Sequence, residues 1–218
     1  MFLVISGVFS GSDLRKMIEW REREHEDVDR WILNNPPSMA ALRNCGLVKL
    51  FEVPGMRAQP ALLQHIISLW DVDLQVFRVG DETLALEIDD VYFLTGLSRR
   101  GAPINLVGKR PSVVTTEALL AEHGIPGAVL KSGKIPILSI GNLPLQAVLY
   151  SLSRAAGSAV THQVSKAQML YAIECMEPRV FNWCDAVLRN IITQLTNCRK
   201  GQLKDFGYGS IIVSFFLE

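Results

Sequence analysis

Apolar residues recur at helical spacing along most of the chain and switch to alternation in one short stretch. Leu62, Leu63, Ile66, Ile67, Leu69 and Trp70 form one face of an amphipathic helix, and Pro60 suits its first turn because proline lacks an N–H there. After Trp70 the rhythm changes. Asp71, Val72 and Asp73 read as a turn, a short alternating segment follows, and Gly80-Asp81 permits a tight reversal before Thr83-Leu84-Ala85-Leu86. Glu87 to Leu94 then reads as a helix with acidic residues at its start, where they offset the macrodipole, and Gly96 stops it. The local pattern is thus a small hairpin feeding a capped helix.

The flanks are helical as well. Ser12 is placed to cap a helix running to Trp31-Ile32, with a charge run from Arg21 to Asp27 on a solvated face, ended by Asn34-Asn35-Pro36-Pro37. Ser38 is the expected cap of a short helix ending at Gly46. Thr115 or Thr116 starts another, running to Gly124. Residues 124–141, rich in Gly, Pro and Ser, read as a long exposed loop. Three amphipathic helices follow, at about Leu143–Ala156, Ser165–Met176 and Arg179–Asn197. The first has Leu145, Val148, Leu149 and Leu152 on its apolar side, and the last has Val180, Cys184, Val187, Leu188, Ile191 and Leu195. Ile211 to Leu217 is apolar throughout, a strand or a buried helix. The pattern predicts a mainly α fold: a compact multi-helix domain with one short β-hairpin at about residues 74–86.

Composition agrees with a folded chain. Its 218 residues are 49% hydrophobic and 20% charged, enough for one domain with its own core. The formal net charge of zero conceals an asymmetry: residues 1–98 carry 9 Lys/Arg against 15 Asp/Glu, and residues 99–218 carry 13 against 7. The excess of base begins in the loop Ser98 to Pro111, where Arg99, Arg100, Lys109 and Arg110 occur without an acid. These four are the candidate contacts for an acidic partner. No stretch is apolar and long enough to cross a membrane, and Met1 to Ile5 lacks the basic flank of a signal peptide. The four cysteines Cys45, Cys175, Cys184 and Cys198 form no CxxC and force no disulfide framework. A soluble intracellular protein without a membrane partner is expected.

Signatures of enzymatic chemistry fail one after another. Gly207-Tyr208-Gly209 lacks the third glycine and the helix start of a dinucleotide site. Lys131-Ser132-Gly133-Lys134 lacks the upstream glycine of a phosphate loop. The carboxylate pairs Asp71/Asp73, Asp81/Glu82 and Asp89/Asp90 are explained as two turns and a helix start, not as metal ligands. His25, His65, His123 and His162 are scattered; His65, on an otherwise apolar helix, is expected to be partly buried and hydrogen-bonded. The expectation is a non-enzymatic chain with no cofactor and no metal. Direct nucleic-acid binding through the basic loop and Arg199-Lys200…Lys204 stays open, although the aromatic interleaving is poor.

One family resemblance joins these readings. The order Leu62-Leu63, Trp70, Phe77, Gly80-Asp81-Glu82, Thr83, Leu86, Asp89-Asp90-Val91, Leu94-Thr95-Gly96-Leu97 and Gly101-Ala102-Pro103-Ile104 resembles the plant mobile domain. That family is carried by plant transposable elements and by host proteins of the MAINTENANCE OF MERISTEMS group, and is often labelled aminotransferase-like. Gln75-Val76 stands where the family has Thr-His, Ile88 where Thr or Leu is usual, and Ser98 where it has proline. The likeness runs loosely from Gly46-Leu47 to Gly207-Tyr208-Gly209-Ser210 and Phe215-Phe216-Leu217-Glu218, about four-fifths of the chain. It implies a domain over residues 38–218, truncated at its C-terminal end, behind a helical lead-in at 1–37. Trp70, Phe77, Gly80, Asp90 and Gly96 are its structural motif.

The resemblance also implies a protein-interaction module acting in the nucleus, in meristem maintenance and transposable-element silencing, with a phosphatase-like protein among the implied partners. The alternative is a nucleic-acid-binding remnant of a transposon-encoded protein. The aminotransferase label finds no chemistry to support it. Lys166 is the nearest approach to a Schiff-base lysine, and neither a glycine-rich phosphate cup nor a paired acid accompanies it.

Overall fold

The computed structural model describes residues 30–51, 60–104, 121, 123, 135–137, 140–156, 163–164, 166–176, 179–203 and 206–217. Expectations for the Ser12 helix up to residue 29, the Thr115/Thr116 cap, Lys109, Arg110 and Lys131 to Lys134 lie outside these residues. The fold is mainly helical with a small antiparallel sheet, as the apolar pattern predicts. The described elements are helix α1 (Pro36–Cys45), a 3-10 turn (Val48–Phe51), α2 (Pro60–Ser68), strands β1 (Trp70–Asp71), β2 (Val76–Val79) and β3 (Glu82–Leu84), and α3 (Ile88–Thr95). Strand β4 (Ile135–Pro136), helix α4 (Leu143–Ala155), β5 (Gln163–Val164), α5 (Lys166–Cys175), α6 (Trp183–Arg199) and α7 (Gly209–Leu217) follow.

Local chemistry sets most of the helix starts. Helix α1 is capped by Asn35, not by Ser38 as expected. Pro36 and Pro37 have no N–H to satisfy, so the first donor in need of an acceptor is the Ser38 amide, which bonds Asn35 Oδ1 at 3.0 Å. Asn142 accepts from the Leu145 amide at 3.0 Å and Asn182 from Asp185 at 3.1 Å in the same way. The second of these caps moves the start of α6 to Trp183. The expected start at Arg179 is replaced by an extended stretch in which Phe181 bridges Ala102 and Val180 is exposed. Gly46 and Gly96 end α1 and α3 with φ of 78° and 67°, the left-handed values that favour glycine.

The hairpin lies within the expected span. Gly80 (φ 62°) turns β2 into β3, with Val79 opposite Glu82 and Phe77 opposite Leu84. A third strand was not expected: Trp70 and Asp71 pair with Phe77 and Val76, so Trp70 belongs to the sheet and not to the helix before it, which ends at Ser68. Residues 135–137 and 140 also differ from the expected exposed loop, since β4 pairs with β5 and both Ile137 and Ile140 are buried.

Helix α4 packs on α1 and α5, while α6 packs on α2, α3 and β1. Burial of α4 extends beyond its expected apolar side and includes Gln146, Ser151 and Ser153. Gln146 satisfies its side chain on the Ile140 carbonyl, and Ser151 on that of Ala147 at 2.8 Å. The apolar segment left open between strand and helix is α7. It lies across α2 and α3, and Phe215 and Phe216 reach Phe77 at ring-centre distances of 6.1 and 4.9 Å.

The chain after α3 runs close along the start of α6. A Cβ on Gly101 (φ 121°) would sit 2.4 Å from the Val180 carbonyl oxygen, a backbone atom that cannot turn aside, whereas one on Gly80 would meet nothing within 4 Å. Gly80→Ala should therefore cost only the left-handed backbone, roughly 1–2 kcal/mol. Gly101→Ala should cost clearly more, because the crossing itself must open. Urea unfolding of the two variants checks the order, and equal losses would contradict the close approach.

Candidate interaction surface

The motif residues predicted from sequence are largely consumed by the fold. The Trp70 indole is buried, donates to Thr196 Oγ1 at 3.2 Å and meets Phe77 edge-on at 4.9 Å, while its carbonyl accepts from Arg199 Nε at 3.2 Å. Asp71 Oδ1 accepts from the amides of Asp73 and Leu74, each at 3.0 Å, and Oδ2 pairs with Arg78 Nε at 2.6 Å. The same turn holds Gln75 at a left-handed φ of 55°. Asp90 Oδ2 accepts from the Glu87 amide at 2.6 Å, half of a capping box. The first and third carboxylate pairs thus include one turn-former and one helix-start acceptor.

Helix α3 has two faces. Val91, Thr95 and the following Leu97 are buried, and Thr95 Oγ1 donates to the Val91 carbonyl at 2.6 Å. Asp89, Tyr92 and Phe93 face outward, and Phe93 is 74% exposed. Arg99 returns over this face. It pairs with Asp89 Oδ1 and sits 4.9 Å above the Tyr92 ring, which lies 5.4 Å from that of Phe93. Arg100 is exposed nearby, and its backbone is held in a small turn with Ser98 Oγ.

The described part of the basic loop is therefore not free. The Cys184 amide donates to the Ser98 carbonyl at 3.0 Å, Ala102 and Val180–Asn182 exchange backbone bonds at 2.9 Å, and Arg189 donates to the Ile104 carbonyl at 3.0 Å. Arg99 and Arg100 are carried on a ledge fastened to α6. Of the four predicted contact residues, these two lie side by side, and Lys109 and Arg110 lie outside the described residues. Sequence reasoning missed Tyr92 and Phe93. The signal was present: Val91 to Leu94 is four consecutive apolar residues, and a helix with one buried face cannot hide all of them.

Other candidates fall away on geometry. His65 is exposed, contrary to expectation, because it projects from the side of α2 opposite Ile66 and Ile67. Tyr208, in the glycine pair tested for a dinucleotide, is a core residue. Its hydroxyl donates to the Ala155 carbonyl at 2.7 Å and accepts from Asn190 Nδ2 at 2.8 Å, and burial raises its pKa far above the ordinary 10.0. No group of three His, Cys, Asp or Glu able to hold a metal occurs among the described residues, and no helix among them is long and apolar enough to cross a membrane. Among known proteins, no family model, no curated sequence and no solved structure matches this chain.

Two titration predictions follow from these environments. Burial pushes the Cys45 and Cys184 thiols up from 9.0 to about 11, and all four cysteines are buried thiols outside any disulfide. A raised folded-state pKa favours the protonated form, so this contribution is whole below 9.0 and fades as pH rises towards 11. Ellman's reagent at pH 8 should leave the native thiols slow and titrate four after unfolding in urea; one fast native thiol would contradict the burial. The Leu74 amide, then Arg78, lowers the Asp71 pKa below 3.8. Its contribution is present above 3.8 and is lost as pH falls through the lower folded value. The stability gap between the wild type and Asp71→Ala should close in that acid range, and a gap independent of pH would show that the ionised carboxylate is not involved.

Proposed function

We propose that this chain is a non-enzymatic plant mobile domain protein, a protein-interaction module that presents the outer face of α3 and the basic ledge after it. One observation carries the reading. The residues that give the likeness (Trp70, Phe77, Gly80, Asp90 and Gly96) serve as core, turn and cap, and the side chains left facing outward are an aromatic pair with arginines beside it. Aromatic and arginine side chains are the types enriched at the energetic centres of protein interfaces. The nuclear setting, the roles in meristem maintenance and transposable-element silencing, and a phosphatase-like partner come from the likeness of the Trp70–Ile104 stretch alone.

Affinity purification from plant nuclei, followed by mass spectrometry, tests the reading. Replacing Arg99, Arg100, Lys109 and Arg110 by alanine should reduce capture of the protein partner by about tenfold, the effect of 1.4 kcal/mol at an interface. The melting temperature should hold, because the Asp89–Arg99 pair is exposed and pairs of that kind add little to stability. Unchanged capture would remove the ledge from the reading. Retention on DNA or RNA that falls steeply with salt would favour the transposon-remnant alternative instead.

A further inference from the structure

We draw no further inference here: the strongest candidate, the exposed apolar surface patch carrying Phe93 on the outer face of α3 and Leu217 on the adjoining α7, has nothing in the structure to show what covers it.

Discussion

Helix α6 aims side-chain donors at the carbonyls that end two other helices, and the core depends on that arrangement. The Trp183 indole N–H reaches the Cys45 carbonyl at the end of α1 at 2.6 Å. Asn190 and Gln194 reach the Ala156 carbonyl just past α4 at 2.8 and 2.9 Å, and Tyr208 takes that of Ala155. The last carbonyls of a helix have no partner within it, and a buried one left unpaired costs about 1–3 kcal/mol. Since α1 and α4 both end inside the protein, packing them requires donors from elsewhere, and α6, with Tyr208 just before α7, supplies them. Gly46 belongs to the same solution. It turns the chain away from α1, and a Cβ there would already stand 3.4 Å from Trp183 Nε1.

Two packing groups meet on α6 as a result. On one side, α1, α4 and α5 form a nearly all-helical layer; on the other, the three-stranded sheet, α2, α3 and α7 gather around Trp70 and Phe77. Trp70 is tied to α6 through Thr196 and Arg199, and the ledge after α3 is tied to its first turn. The basic residues of that ledge are thus presented by a braced backbone. Bracing lowers the entropy lost when a surface is engaged, which is what the interaction role proposed for this ledge would need.

Much of the architecture was legible in the chain because it rests on interactions a few residues apart. The hairpin follows from Gly80 between two alternating runs, α3 from an acidic start and a glycine stop, and α2 from its apolar face. Helix boundaries were less legible where two signals competed. Ser38 and Asn35 both suit a cap, and the choice depends on which amide the prolines leave in need. Val180 matches the spacing of α6 yet is exposed, because Phe181 and the Ala102 bridge pull that stretch out of the helix. On the candidate surface, Arg99 and Arg100 were evident from charge alone, whereas the outward Tyr92 and Phe93 were hidden within a run that looks like core.

What the sequence by itself determined is the set of local elements: a mainly helical chain, one hairpin with its turn, the glycine stops, the cysteines without a disulfide framework, and a motif spent on structure. Only the tertiary structure decided how those elements share their polar ends and which apolar residues stay outside. It turned Asn190 and Tyr208 into partners for helix termini, folded Arg99 back onto Asp89 and Tyr92, and laid α7 over Phe77. The physical reason is range. Caps, turns and periodicity act within about one helical turn, whereas the satisfaction of a buried carbonyl and the exposure of a phenylalanine depend on residues far away along the chain.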